Sequence, residues 1–174
     1  MKCKNCHWGN IEEIEFQLLN DDGMIGIPPQ RGTEKSSGID VFIPNGFVRK
    51  MTSHVDIPCE LPYYYFNYGE DILIPLNLRV NIPEHCDIEV KNKSGIATKL
   101  KLIKGAHVID QDYRGNLKLH LFNLGKEVVK LSDGMKIAQL VVRPVLLPKV
   151  RIVESIDINT ERGEGGFGST GDKA

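Results

Sequence analysis

The C-terminal end of the chain carries residue types that bind phosphates. Residues 162–171 read Arg-Gly-Glu-Gly-Gly-Phe-Gly-Ser-Thr-Gly. Glycines leave backbone N–H groups open to a ligand, and these groups form an anion nest together with the hydroxyls of Ser169 and Thr170. Arg162 can bind phosphate oxygens through its forked donors, and Phe167 offers a flat face for a base. The segment predicts a nucleotide-binding tail, although its composition is equally typical of a disordered terminal linker.

A second segment, residues 105–115, places two acids and a tyrosine after a short apolar run. It reads Gly-Ala-His-Val-Ile-Asp-Gln-Asp-Tyr-Arg-Gly. Such a hairpin can hold a small planar base against its backbone. Asp110, at the mouth of the hairpin, can orient and deprotonate a water molecule. The same residues also fit an ordinary hairpin with polar turn residues.

Two further segments are less specific. Residues 91–95, Lys-Asn-Lys-Ser-Gly, combine two cations with a hydroxyl group and a glycine, which suits phosphate but is common on protein surfaces. Residues 134–139, Gly-Met-Lys-Ile-Ala-Gln, predict a turn that enters a buried strand and indicate little else.

The elements that must position these residues are strands. Apolar and polar residues alternate over Leu76–Ile82 and over Leu117–Phe122, which predicts strands with one buried face. Ile11–Leu19 and Val150–Ile158 are further strand candidates. Ile137–Val142 is almost continuously apolar, as a strand buried on both faces would be.

Turn signals separate the strands, and many short strands at this spacing favour a sandwich or a barrel. One short helix is compatible with residues 94–100. The 174 residues suit a single domain, and the sequence shows neither an internal repeat nor a second-domain boundary.

The composition argues against nucleic-acid and membrane partners. With 22 basic and 23 acidic residues the net charge is −1, and no apolar run approaches the roughly 18 residues that span a bilayer. The N-terminus lacks the pattern of a signal peptide, so we expect an intracellular, cytoplasmic protein with free thiols, with the nucleus as the alternative location if the source is eukaryotic or viral. Cys3, Cys6 and His7 are interpreted as a local cluster, with a metal, redox or haem role as the alternative.

Residues 49–68 form a tyrosine-rich stretch that contains Tyr63-Tyr64-Tyr65-Phe66 and Tyr68. We interpret it as an inserted loop or hairpin whose aromatic rings cover a neighbouring surface. A binding site for a partner protein is the alternative.

Taken in order, five segments resemble the five motifs of the trimeric dUTPase family. The resemblance covers about residues 12–171, and the third and fifth motifs are the most specific. The matching segments are residues 37–41 (Ser-Gly-Ile-Asp-Val), 93–97 (Lys-Ser-Gly-Ile-Ala), 105–115, 134–139 and 162–171.

The resemblance implies an all-β, distorted jelly-roll (β-clip, barrel-like) fold that assembles as a homotrimer with an active site at each subunit junction. Residues 1–159 would form the β domain, and residues 160–174 a mobile lid over a neighbouring subunit's site. The implied activity is hydrolysis of dUTP to dUMP and diphosphate, which keeps uracil out of DNA and supplies dUMP for dTMP synthesis.

The resemblance also implies roles for individual residues. Asp110 would hold the attacking water, and Tyr113 would pack under the deoxyribose and exclude a 2′-hydroxyl group. Mg²⁺ would be held by the phosphates and by water, with Asp40 in indirect contact. The implied substrate-binding residues are Lys93, Ser94 and Gly95 with Gln139 for the phosphates, His107, Val108, Ile109 and Lys118 for uracil, Phe167 for stacking on uracil, and Arg162, Gly168, Ser169 and Thr170 for the terminal phosphates.

Some positions depart from the family pattern, and two rival functions remain open. Lys93 stands where the family usually has arginine, His107 where glycine is common, and Met135 where an acid is usual. A dCTP deaminase shares the fold but needs a glutamate in the third-motif region. A non-catalytic binding protein on the same scaffold would use the tyrosine-rich stretch or the N-terminal cysteines.

Overall fold

The computed structural model describes residues 13–53 and 61–165, which form a mostly β structure. The two helices in these ranges, α1 (Phe47–Thr52) and α2 (Ser94–Lys99), fall far short of the length and apolar character that a membrane span needs. The strands are β1 (Glu15–Leu18), β2 (Asn20–Asp21), β3 (Met24–Ile25), β4 (Gln30–Arg31), β5 (Ile39–Phe42), β6 (Tyr64–Phe66), β7 (Asp71–Pro75), β8 (Leu78–Asn81), β9 (Cys86–Asn92), β10 (Leu102–Lys104), β11 (Val108–Ile109), β12 (Lys118–Asn123), β13 (Val129–Leu131) and β14 (Lys136–Pro144).

All the strand pairs are antiparallel. The largest sheet has the order β11-β9-β14-β5-β4, and a three-stranded sheet has the order β10-β12-β7. Two-stranded sheets join β1 to β8, β13 to β6 and β2 to β3. The nine-residue β14 lies in the middle of the largest sheet, which confirms the strand predicted over residues 137–142. Burial on both faces is only partial, because Ile137, Ala138 and Leu140 are buried while Gln139, Val141 and Val142 are half-buried.

The apolar alternation seen in the sequence fills the core. Leu76, Leu78, Val80 and Ile82 are all buried, and so are Leu117, Leu119 and Leu121 on the next predicted strand. Each such side chain contributes about 1.5–3 kcal/mol by leaving water. Both predicted strands are confirmed as β8 and β12, and the N-terminal candidate is confirmed over β1.

Asn77 corrects one detail of this pattern. The alternation over Leu76–Ile82 predicts that Asn77 lies on the exposed face of the strand, but its side chain is buried and its φ is 52°. The left-handed backbone turns the residue inward immediately before β8 begins.

Helix α1 was not predicted, because the residue that caps it is distant in sequence. The carboxylate of Asp133 accepts hydrogen bonds from the N–H groups of Gly46 (2.6 Å) and Val48 (2.9 Å). These donors belong to the first turn of the helix, where backbone N–H groups lack partners inside the helix. Phe47 and Val48 are buried, so the helix seals one side of the core.

The strand predicted over Val150–Ile158 is wrong. Residues 145–159 have no regular structure, and Val150 and Ile152 are 91% and 90% exposed. The apolar alternation is present, but a strand also needs a neighbour to pair its backbone, and no described strand pairs with this segment.

The tyrosine-rich stretch is partly built into the domain. Tyr64 and Phe66 lie on β6, which pairs with β13, and the ring of Tyr64 packs edge-on against Phe47 at 5.9 Å between centroids. Tyr63, Tyr65 and Tyr68 remain exposed. Residues 54–60 lie outside the described ranges, as does the N-terminal cysteine cluster. Cys86 is a buried thiol, and burial raises its pKa.

Candidate active site

The hairpin that carries Asp110 forms a pocket. Strand β11 pairs with β9, and the backbone N–H of Val90 donates to the carbonyl of His107 at 2.7 Å, so the hairpin is fixed to the largest sheet. The pocket encloses about 160 Å³. Its lining consists of Val108, Ile109, Asp110, Tyr113, Leu117 and Lys118.

Tyr113 is held rigidly at the wall of this pocket. Its hydroxyl donates to the carbonyl of Asn116 at 2.9 Å, and its backbone N–H donates to the carbonyl of Asp110 at 3.1 Å. The ring lies over Gly115, where a Cβ atom would stand only 2.4 Å from the tyrosine oxygen. A side chain at position 115 would therefore displace the tyrosine ring from its observed position.

The turn from residue 110 to 113 is also anchored from outside. Gln111 accepts a hydrogen bond from the backbone N–H of His85 at 3.1 Å. The guanidinium of Arg114 donates to the carbonyl of Gln111 at 2.7 Å and to the side chain of Asn81 at 3.3 Å. Asp110 itself is exposed to solvent, so a water molecule can reach its carboxylate.

A pair of asparagines supports the pocket from below, and the sequence analysis missed it. Asn116 donates to the side-chain oxygen of the buried Asn77 at 3.1 Å and accepts from the backbone N–H of Leu78 at 3.3 Å. Asn77 in turn donates to the carbonyls of Met24 (2.8 Å) and Asp21 (3.0 Å). An asparagine inside an otherwise alternating strand was the only signal, and it was indistinguishable from an exposed polar residue.

A second cluster gathers the predicted phosphate residues around Asp40. Its buried carboxylate accepts from the ammonium of Lys93 at 2.5 Å and lies 3.3 Å from that of Lys136. Burial alone would raise the pKa of Asp40, but the hydrogen bonds and positive charges of the two lysines outweigh it and hold the pKa below its usual value of 3.8. Asp40 is therefore an anion at neutral pH.

Gln139 completes this cluster. It lies opposite Asp40 across β14 and β5, and its amide donates to the carbonyl of Asn92 at 2.9 Å. Its side chain crosses Gly38, where a Cβ atom would stand 2.0 Å from the amide oxygen. The first and fourth motifs therefore meet at one point of the largest sheet.

Helix α2 begins beside the same cluster. Lys93 precedes its first turn, and Ser94 and Gly95 are exposed there, with no atom near the position of a Cβ on Gly95. The short helix that the sequence allows over residues 94–100 is thus present as Ser94–Lys99. The lysine is already paired with Asp40, so the open groups at this helix start are a hydroxyl and backbone N–H groups.

The structure does not bring all the predicted residues into one pocket. The lining around Asp110 and Tyr113 contains neither Lys93 nor Gln139. Arg162 is exposed, forming a tight turn in which it donates to the carbonyl of Gly165 at 2.9 Å. The other predicted tail residues, Phe167, Gly168, Ser169 and Thr170, lie outside the described residues.

The described residues offer a metal ion no ready set of ligands. Within residues 13–53 and 61–165, no three His, Cys, Asp or Glu side chains converge on one point. Asp40 is the acid nearest to the phosphate residues, but each of its oxygens already contacts a lysine. A divalent ion at this site would therefore take most of its ligands from water or from a bound phosphate chain.

The fold and the site together define a mostly β protein with a small pocket that holds one acid, Asp110, and one base, Lys118, and with a separate cluster of Asp40, Lys93 and Lys136 on the largest sheet. The dUTPase family matches residues 55–171 of the chain. The deoxyuridine 5′-triphosphate nucleotidohydrolase of Clostridium acetobutylicum is 41% identical over 160 residues, which cover 91% of this chain and 96% of the bacterial one. The chain belongs to the dUTPase family.

More distant relatives agree with this assignment. The enzyme of the same name from Rattus norvegicus is 38% identical over 82% of this chain, and the chain spans 61% of the rat protein's length. Among solved structures, the dUTPase of Staphylococcus bacteriophage 80alpha with dUpNHpp superposes with a TM-score of 0.69 at 24% identity, covering 92% of this chain and 99% of that one. A mutant dUTPase of phage phi11 of S. aureus, described with a structural Mg(II) ion, gives 0.63 at 21% identity over 82% and 97%. At these identities the structures support the fold alone.

Proposed function

We propose that the chain hydrolyses dUTP to dUMP and diphosphate. The observation that carries this proposal is the pocket formed by Asp110 and Tyr113 at a rigid hairpin, in a chain that belongs to the dUTPase family. The comparisons support the substrate, since the relatives named above are deoxyuridine 5′-triphosphate nucleotidohydrolases.

The pocket holds the nucleoside end of the substrate. Its volume of about 160 Å³ is smaller than the roughly 300–1,000 Å³ usual for a complete ligand site. Uracil lies along the backbone of His107, Val108 and Ile109, near Lys118, and the triphosphate extends outside the pocket. The carbonyl of His107 already accepts a hydrogen bond from the backbone N–H of Val90, so other backbone N–H groups carry much of the recognition of uracil.

Tyr113 selects the sugar. Because its hydroxyl is bonded to Asn116 and its ring rests on Gly115, the ring would have to break that hydrogen bond in order to admit an additional oxygen. A 2′-hydroxyl group on the ribose of UTP meets this wall, whereas deoxyribose packs against it.

Asp110 activates the attacking water. The exposed carboxylate accepts a proton as the water oxygen bonds to phosphorus, and the bond between the α- and β-phosphates breaks to release diphosphate. Lys93, Ser94, Gly95 and Gln139 position the phosphates, and positioning is a large part of the catalysis of such a step. Asp40 would contact a Mg²⁺ ion only indirectly, and the bound ion would supply neutralisation of the charge on the leaving group.

The chain acts as a distorted jelly-roll homotrimer. The strongest support is the segment after β14, where Leu146, Leu147, Val150, Ile152 and Ile156 are all more than 70% exposed. Apolar side chains exposed together in this way are typical of a surface that another protein covers. A neighbouring subunit supplies that surface, and the segment thereby carries Arg162 and the glycine-rich tail to the neighbour's pocket, where the tail closes as a lid.

The test is a substrate panel. The protein is incubated with Mg²⁺ and dUTP, dCTP or UTP, and the release of diphosphate and of ammonia is measured. We expect diphosphate from dUTP alone. Ammonia from dCTP would establish the deaminase instead, and the absence of any product would leave a binding protein on the same fold.

A further inference from the structure

A groove of about 760 Å³ lies at the far end of α2 and shares no residue with the pocket around Asp110. One wall is the end of α2 and the residues that follow it, Lys99 to Lys101. The other wall is the segment that joins β12 to β13, residues 124–128, together with the first residues of β13. The proposed hydrolysis uses none of these residues.

The walls of the groove are joined by hydrogen bonds that form without a ligand. The fully buried Asn123 donates to the carbonyls of Phe66 (3.0 Å) and Glu127 (2.9 Å) and accepts from the N–H of Gly125 at 3.0 Å. The N–H of Leu124 donates to the carbonyl of Lys101 at 3.1 Å, which ties the two walls together. A preformed groove loses little conformational entropy when a ligand binds.

The floor of the groove is aliphatic. Leu124 is 66% exposed and Val128 is 49% exposed, and the half-buried Leu100 lies with them. These three aliphatic side chains share one concave surface, so they can contact apolar side chains of a ligand.

The rim of the groove is strongly basic. The described lining residues include four lysines but only one acid, Glu127. The lysines are Lys99, Lys101, Lys126 and Lys130. None of these lysines forms a salt bridge within the part of the chain that the structure describes. In a chain with a net charge of −1, this local excess of positive charge selects an anionic ligand.

Lys130 extends the groove to the exposed tyrosines. It lies opposite Tyr65 across β13 and β6, and its ammonium lies 5.4 Å from the ring centroid of Tyr63 and 5.9 Å from that of Tyr65. Tyrosine is among the residues enriched in protein interfaces.

We propose that this groove binds an extended acidic segment of a partner protein, with apolar side chains on the aliphatic floor and carboxylates at the lysine rim. A protein segment fits better than single-stranded nucleic acid. Bases bind by stacking on free aromatic faces, whereas here the floor is aliphatic and Lys130 already lies over both nearby rings.

The test uses a fluorescein-labelled 12-residue peptide of alternating glutamate and leucine, with fluorescence anisotropy as the readout. A peptide of glutamate alone and a 12-nucleotide oligo-dT serve as competing probes. We expect Lys101→Glu/Lys126→Glu to weaken binding of the mixed peptide at least tenfold and Leu124→Ser/Val128→Ser at least fivefold. The charge-preserving control Lys101→Arg/Lys126→Arg retains binding, and dUTP turnover of every variant stays at the wild-type level, which shows that they fold.

Four results would overturn the proposal. Equal binding by the wild type and the Lys101→Glu/Lys126→Glu variant would remove the groove as the site. Equal affinity for the glutamate-only peptide would show that the groove attracts any negative charge and that its aliphatic floor plays no part. Preference for oligo-dT would show that the groove binds nucleic acid. Crosslinking of Lys126 between copies of the wild-type chain would show that a second subunit covers the groove.

Discussion

Replacing Gly115 by alanine should damage the active site by displacing Tyr113, although Gly115 itself is not proposed to contact the substrate. The new Cβ atom would stand 2.4 Å from the tyrosine oxygen and 2.6 Å from the ring carbon that bears it. An ordinary contact begins at about 3.4 Å, so the phenol must retreat by about 1 Å. That movement breaks its 2.9 Å hydrogen bond to Asn116, which is worth about 1 kcal/mol.

The catalytic cost follows from the displacement. A misplacement of about 1 Å in a site of this kind costs up to about 10²-fold in rate. We therefore expect kcat/KM for dUTP to fall about 10- to 100-fold, which corresponds to about 1.4–2.8 kcal/mol. Because the wall beneath the sugar moves, the ratio of kcat/KM for dUTP over that for UTP should fall about tenfold as well.

The assay is steady-state diphosphate release from dUTP and UTP at matched enzyme concentrations. Gly32→Ala is the control, since a Cβ atom there meets only Ser36 at an ordinary 3.5 Å. If Gly115→Ala keeps both the wild-type kcat/KM and the wild-type selectivity, then Tyr113 does not form the wall that excludes the ribose hydroxyl.

Three further predictions concern the tail and the cluster around Asp40. A chain that ends at Thr160 should lose dUTP turnover, while its melting temperature should stay within about 2 °C of that of the full-length chain. Normal dUTP turnover by this variant would show that residues 160–174 do not act as a lid. Asp40→Asn should lower the free energy of unfolding by about 1–3 kcal/mol at pH 7. The pKa of Asp40 in the folded protein lies below 3.8, so this difference in the free energy of unfolding should persist above pH 3.8. It should vanish only as the pH falls through the folded pKa. Urea titrations at several pH values measure this profile, and a different pH dependence would contradict the prediction. Gly38→Ala should displace the side chain of Gln139, because the new Cβ atom would stand 2.0 Å from its amide oxygen, and should raise KM for dUTP several-fold. An unchanged KM would show that Gln139 takes no part in phosphate binding.

The strands that position the site could be predicted because burial and periodicity coincide in them. The apolar run of β14 and the alternation in β8 and β12 are set by which faces meet the core, and that information is local in sequence. The residues of the hairpin around Asp110 also lie within one short segment, so their meeting in a pocket needed only a turn.

Features that depend on distant contacts could not be predicted. Helix α1 is capped by Asp133 from the other half of the chain, and the pocket is supported by Asn77, whose left-handed backbone no neighbouring residue indicates. The segment from Val150 to Ile158 has the pattern of a strand but has no partner in the described chain. Whether such a segment pairs with another strand depends on contacts that the sequence pattern does not encode.

The most direct test of the proposed mechanism compares Asp110→Asn with Asp112→Asn. The two acids lie two residues apart on the same exposed turn, but only Asp110 lines the pocket. We predict that diphosphate release from dUTP falls on the order of 10²- to 10⁴-fold in Asp110→Asn, the contribution of a general base, and stays near the wild-type rate in Asp112→Asn. Equal rates in the two variants would contradict the assignment of Asp110 as the residue that activates water.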